Sequence, residues 1–476
     1  MKILVVTIGI TLGLSFWNQI VASHNRSTEL TYKCLDSVNF LKYEVTLTTY
    51  TRLDADDPCE VVIYFGDGDS SIATRSNGVQ SGSNGCPGTT IPAICSHCGE
   101  YLQGGLFKKN IFSCVHTYAS PGQYVISYLR PSRNAEVCNI ANPISIPMIN
   151  QALLVISPFL GINNSPVFAN PYIEEACAGQ IFRTNTFAYD PDGDSLVHTL
   201  VSCLGSNGLP IQNNPGNYNV EINPKTGMMT WDSPMEICSY NFAIKTEDWR
   251  FIGNDCTPYL MGYTIRDFVL DVNPGNNTKP ELFSVIDSFD LLVGNSISFD
   301  INATDQDSDF LNLEIIFNPE LVDFTQMQAL IIEQGIVSYR VTVTSTYEKV
   351  RCEPYFFYIK TVDDGGINNN YNSILSDYKA MYIYIKDSLL SCPCSLSNNE
   401  DIIINKSILL PNPVSNSFTI QNTDAKSGRV VDLLGKSIFT FHFESGKAAV
   451  DALSLANGIY LVTLDNGQTL KFLVHR

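Results

Sequence analysis

The chain has 476 residues and a formal charge of -19, from 29 Lys and Arg against 48 Asp and Glu. That balance excludes a basic nucleic-acid surface and a polybasic membrane patch, since both need clustered cations. Tyr and Phe number 23 and 25 against 8 Met, a bias toward strands, and 14 Cys suit an oxidising compartment.

The length allows roughly three to four domains. At the N-terminus, Lys2 precedes an apolar run from Ile3 to Phe16, and Val21, Ala22 and Ser23 offer small residues for cleavage. The pattern predicts a signal peptide over 1–23. The run is shorter than the ~20 residues of a spanning helix, and no later stretch reaches that length, so no transmembrane segment is expected after signal removal. All 14 Cys follow the cut, and disulfides are the expectation. Asn25, Asn163, Asn276, Asn302 and Asn405 lie in glycosylation sequons.

Residues 24–149 form the first expected module. Leu41 to Tyr50 alternates apolar and polar residues, as does Tyr124 to Tyr128, which predicts half-buried strands. Val61-Val-Ile-Tyr-Phe65 is a buried-type strand followed by Gly66-Asp67-Gly68-Asp69, and His116-Thr-Tyr118 leads through Pro121-Gly122 into another strand. These segments resemble a PKD-type immunoglobulin-like sandwich. The resemblance implies a structural hydrogen bond for His116 and turn roles for Asp67 and Asp69. The segment 71–110 between the motifs is rich in Ser, Gly and Cys. Cys95, Cys98, Cys114 and His116 have zinc-like spacing, but an exported chain favours disulfides there.

The middle of the chain repeats itself. Ala188-Tyr-Asp190-Pro-Asp192-Gly-Asp194-Ser-Leu196 matches Ala303-Thr-Asp305-Gln-Asp307-Ser-Asp309-Phe-Leu311, and the segment from Phe242 to Asp248 matches that from Phe357 to Asp363 in the same register. Two homologous modules follow, 150–275 and 278–388, joined by the turn-rich Asn273-Pro-Gly-Asn-Asn-Thr-Lys-Pro280. In each acidic turn three alternating carboxylates, Asp190, Asp192 and Asp194 or Asp305, Asp307 and Asp309, form a candidate calcium site. Hard oxygen ligands suit that ion, and clustered carboxylates repel one another without one. An EF-hand is excluded, because its twelfth position is Val201 in one copy and Ile316 in the other. The turns resemble those of cadherin-like repeats in exported Bacteroidota surface proteins, a likeness that implies calcium between modules, with Asp248 or Asp363 taking part. The alternative is a solvated Asx turn with no ion.

A linker over 389–406, containing Cys392 and Cys394, precedes the last segment, 407–476. There Leu410-Pro-Asn-Pro413, Leu434-Gly-Lys436, Asn457-Gly-Ile-Tyr-Leu-Val462 and the closing Leu470 to Arg476 occur in order. They resemble the type A sorting domain of the type IX secretion system, which implies that machinery as a partner and a cell-surface or extracellular location. The strand and turn signals predict a small β-sandwich.

The fold class expected is all-β: tandem immunoglobulin-like β-sandwich modules in series with a small C-terminal β-sandwich. No catalytic residue is expected. Six His are present, and no His-Glu-x-x-His, Gly-x-Ser-x-Gly or Gly-x-x-x-x-Gly-Lys-Ser/Thr motif occurs. The carboxylates sit in repeated turns, whereas an enzyme more often places them once. The expected function is non-enzymatic adhesion, with a polysaccharide or cell-surface ligand. A structural stalk and a secreted hydrolase are the alternatives.

Overall fold

A computed structural model describes residues 25–78, 94–95, 98–102, 107–171, 175–211, 218–252, 257–275, 277–283, 287–351, 353–365, 374–387, 408–410, 414, 416–421, 425–432, 436–443, 446–466 and 469–474. The expected signal peptide 1–23, the linker 389–406 and much of the insert 71–110 lie outside the described residues. Strands and a few short 3-10 turns make up the regular structure of the described residues, so the all-β expectation holds.

Strand Asn25–Cys34 pairs antiparallel with Lys42–Arg52, and the hydrogen-bonded path continues through Phe107–Thr117, Ser70–Arg75, Glu60–Tyr64, Gly122–Arg130 and Met148–Ile156. Both ends of this path reach the long strand Thr257–Asn273. Thr28 faces Asp267 there, and Ala152 faces Thr264. The path therefore closes around one core, in which Leu30, Val45, Leu47, Ile63, Phe65, Phe112, Ile126 and Leu154 are fully buried.

The expected boundary at 149/150 falls inside strand Met148–Ile156. This strand pairs with Gly122–Arg130 on one side and with Thr257–Asn273 on the other. Its sequence, Met-Ile-Asn-Gln-Ala-Leu-Leu-Val-Ile, is buried on both faces, because a core lies on each side of it. The first two modules thus share one 12-stranded sheet. Buried ion pairs cross the same seam. Arg266 meets Glu29, and Arg133 meets Asp267 at 2.9 Å. A disulfide joins Cys138 to Cys238 nearby.

The second core lies between the hairpin Ser239–Ile252 and Thr257–Asn273 and a three-stranded sheet of Phe182–Asn185, Met228–Trp231 and Val220–Ile222. Trp231, Phe242 and Phe268 fill it. The third module stacks two four-stranded sheets. One orders Glu281–Phe283, Ser296–Thr304, Ile336–Thr344 and Thr325–Glu333; the other orders Ser288–Leu292, Ser376–Lys386, Tyr355–Asp363 and Leu311–Phe317. Its core includes Ile301, Val341, Phe357, Met381 and Ile383. In the last segment, strands Ser427–Val431 and Gly458–Leu464 are the inner pair of a four-stranded sheet that covers Phe418, Val450 and Phe472.

Phe187 docks the second module on the third. Its ring stacks on Tyr358 at 4.4 Å and meets Tyr378 edge-on at 5.7 Å, and the Tyr358 hydroxyl donates to the Ala188 carbonyl at 3.2 Å. Phe187 is fully buried and sits at φ 51°. That left-handed backbone costs about 1–2 kcal/mol, less than truncation of a buried Phe, about 3–5 kcal/mol.

The shared sheet has a measurable consequence. A chain ending at residue 149 loses most of strand Met148–Ile156 and the edge that closes its core, so it should show no cooperative unfolding. Residues 24–275 should unfold in one calorimetric transition. Two resolved transitions would contradict the common sheet.

Candidate metal centres

The two acidic turns are built alike. Asp190 Oδ1 accepts the N–H groups of Asp192 at 2.8 Å and Asp194 at 2.9 Å. Asp305 Oδ1 accepts those of Asp307 at 2.8 Å and Asp309 at 3.1 Å. The side chain replaces a backbone acceptor, which folds the chain back on itself and gathers the carboxylates. Gly193 takes a left-handed φ of 81° in the first turn; Ser308 takes 62° in the second.

A second segment closes each site. The Asn164 N–H donates to Asp192 Oδ2 at 2.6 Å, and Asn163 Nδ2 donates to Asp248 Oδ2 at 2.7 Å. In the other copy the Thr278 N–H donates to Asp307 Oδ2 at 2.7 Å, and Asn277 Nδ2 donates to Asp363 Oδ2 at 2.9 Å. Asp248 and Asp363 join their clusters from strands Ser239–Ile252 and Tyr355–Asp363. The asparagines are the members that the acidic pattern does not show, although Asn163-Asn-Ser-Pro166 and Asn277-Thr-Lys-Pro280 carry a common spacing. Asn163 is fully buried, so its sequon is closed to a glycan in the folded chain.

Several oxygens in these clusters are buried and accept no hydrogen bond: Asp190 Oδ2, Asp248 Oδ1 and Asn163 Oδ1 in the first, Asp305 Oδ2 and Asp309 Oδ2 in the second. Such atoms are costly unless something positive meets them. Burial, and then the Asp194 carboxylate, pushes Asp190 up to about 8. Burial and the charge on Asp190 hold Asp248 well above the carboxylate range. Burial also raises Asp363 to about 7. The all-oxygen donor set suits a hard cation such as calcium.

The copies differ in one respect. Arg250 forms a two-pronged pair with Asp194, at 2.7 and 2.6 Å, and also donates to the Leu160 and Ile162 carbonyls. It stands 115 residues before Gly365, so the second turn has no such guanidinium at that position. Asp364 instead accepts the Phe310 N–H there. Asp190, Asp192 and Asp194 each offer an oxygen within 4.8 Å of the other two; Asp305, Asp307 and Asp309 converge less closely.

The other sequence candidates separate. Asp67, Asp69 and His116 lie together, with His116 Nε2 at 2.7 Å from Asp67 and its ring stacked on Phe65 at 4.0 Å. Burial opposes the charge on Asp67, but the His116 and Asp69 hydrogen bonds outweigh it and hold the carboxyl low. Cys98 is disulfide-bonded, whereas Cys114 is a free thiol packed on the first core. The zinc-like quartet therefore does not assemble from Cys98 and Cys114. His97 lies outside the described residues.

Together these features define a class of protein: an all-β chain of sandwich modules in series, with acidic turns at the module joints. Its C-terminal part is more specific. Residues 409–475 match the secretion system C-terminal sorting domain family. The chain thus carries a type IX sorting domain, engages that secretion machinery, and is exported to the cell surface or extracellular space. No curated protein matches the sequence. Among solved structures, the Ig1-2 module of the Drosophila receptor protein tyrosine phosphatase DLAR is 14 % identical, with 47 % of this chain and 99 % of that chain covered and a TM-score of 0.19. The sialic acid binding region of a Streptococcus sanguinis adhesin is 11 % identical, with 60 % and 96 % covered and a TM-score of 0.19. Likenesses this distant carry no argument about function. No helix among the described residues is long and apolar enough to cross a membrane.

His198 gives this region a pH signature. It is buried beneath the turn that holds Gly227, with Nδ1 at 3.0 Å from Thr246 Oγ1, and burial pushes it down to about 4. A folded value below the unfolded 6.5 means that its stabilisation is present above pH 6.5 and is lost as pH falls toward 4, by on the order of 3 kcal/mol. The stability gap between wild type and His198→Asn should therefore narrow from pH 7 to pH 4 in denaturant titrations. A constant gap would contradict the buried neutral imidazole.

Proposed function

We propose that this is a non-enzymatic surface or secreted adhesion protein whose module joints are stiffened by calcium. The observation that carries the reading is the repeated joint. Each copy brings an acidic turn, a buried aspartate and an asparagine together at the point where one module meets the next segment. Asp190, Asp192, Asp194, Asp248 and Asn163 would hold one ion; Asp305, Asp307, Asp309, Asp363 and Asn277 would hold the other. The ion would supply positive charge to carboxylates that burial otherwise forces toward the neutral form. Arg250 supplies part of that charge to the first turn. Exposed loops and module faces would then meet a polysaccharide or another cell.

A second reading, a structural spacer, draws on the Phe187 joint and the shared sheet. Both hold the modules in fixed order without requiring a ligand.

Calcium at a hundredfold excess over its dissociation constant should stabilise the chain by about 2.7 kcal/mol for each site filled. EDTA should remove that gain, and Asp190→Asn with Asp305→Asn should abolish it in calorimetry. A midpoint indifferent to EDTA would remove the calcium role. Adhesion is tested separately, by binding of the labelled mature chain to intact cells and to polysaccharides, with and without calcium. Saturable binding supports the adhesin; its absence from demonstrably folded protein leaves the spacer.

A further inference from the structure

The joint between the second and third modules encloses a cleft of about 670 Å³. That volume lies within the range of ~300–1,000 Å³ usual for small-ligand sites.

One wall is the outer face of a sheet in the third module. Along strand Ser376–Lys386, Met381, Ile383 and Ile385 enter the core. Tyr382 and Tyr384 point the other way, because side chains alternate across a strand. Phe356 pairs with Tyr382 across the sheet, with ring centroids 5.1 Å apart at 64°. The Tyr382 hydroxyl is buried against Thr226 of the facing wall.

The opposite wall is the turn after Asn223. Its side-chain oxygen accepts the N–H groups of Lys225 at 3.0 Å and Thr226 at 3.1 Å, which fixes both residues at the cleft. His198 packs under this turn, with its backbone N–H donating to the Pro224 carbonyl at 2.8 Å.

The polar lining is balanced. Arg183, Lys225 and Lys379 line it together with Asp287, Glu353 and Asp377, Arg183 pairing with Asp377 at 3.6 Å and Lys379 with Asp287 at 3.8 Å, so the cleft adds no net charge to a chain of -19. Donor-only cations and acceptor-only carboxylates thus both line the cleft beside an aromatic wall. A hydroxyl both donates and accepts, so a molecule bearing many hydroxyls can satisfy both kinds at once. A pyranose has such a rim and also an apolar C–H face that stacks on an aromatic ring. A polyanion would meet the repulsive field of the whole chain. An extended peptide would seek a strand edge, whereas this wall is the face of a sheet.

We infer that this cleft is a carbohydrate site that takes a short neutral oligosaccharide. The inference rests on the adhesion reading and gives it a ligand class. Phe356 and Tyr382 form the stacking wall. Arg183 and Asp377 read adjacent hydroxyls from the two modules, so the site exists only while the joint is closed.

The test is titration of the full mature chain with cellotriose, maltotriose and triacetylchitotriose, with trigalacturonate as the acidic counterpart. Saturable binding of at least one neutral sugar is expected, weakened at least tenfold by Tyr382→Ala and by Arg183→Ala. Arg183 is 40 % exposed at its side chain, so its variant remains folded even if the tyrosine variant does not. Phe159→Ala, on a turn of the second module and 94 % exposed, should bind as wild type. Saturation by none of the neutral sugars, binding of trigalacturonate alone, or neutral binding untouched by both cleft variants would each overturn the inference. Cell binding that survives in both cleft variants would leave adhesion standing and remove the cleft from it. Sugar binding without cell binding would do the reverse.

Discussion

The edge of strand Thr257–Asn273 is the constraint on which the first half of the molecule depends. Its other edge is taken along its length by Ser239–Ile252. The free edge is divided in order among Met148–Ile156, Asn25–Cys34 and the short parallel strand Glu175–Cys177. An unshared edge of this length would expose a row of backbone donors and acceptors. Here it closes the first core instead. The buried pairs Glu29 with Arg266 and Arg133 with Asp267 sit on the same seam, where loss of one partner would strand a charge at about 3–5 kcal/mol.

The third module is held differently. Its contact with the second runs through Phe187, Tyr358 and Tyr378, three rings beside the first acidic turn. The turn begins only three residues after Phe187, so whatever orders Asp190 also orders the docking ring. The cleft opens on the same joint, with Tyr378 contributing to both. Acidic turn, docking rings and cleft thus lie side by side at this joint.

Much of this was legible from residues alone. Alternation at Leu41 to Tyr50 marked a strand that the structure places over Lys42–Arg52. The 115-residue offset paired the acidic turns and also Asp248 with Asp363. The boundary at 149/150 was not legible, because a run such as Ala152-Leu-Leu-Val-Ile156 reads as a buried strand whichever core it faces. Its second partner lies more than a hundred residues later. Asn163 was hidden for a similar reason: an amide carries no charge pattern, and its role depends on Asp248 arriving from another strand. The cleft is formed by residues of two modules and has no signature in either one.

The shared sheet also sets an order of events in time. Ser27 faces Phe268 across it, so strand Asn25–Cys34 can pair early with Lys42–Arg52, but its second edge waits for one of the last strands of the second module. Pairings so distant in sequence close slowly. The N-terminal core stays open until the polypeptide has been made well past its own last residue. For a chain that must leave the cell, this defers the completion of its N-terminal core until translation is more than half done.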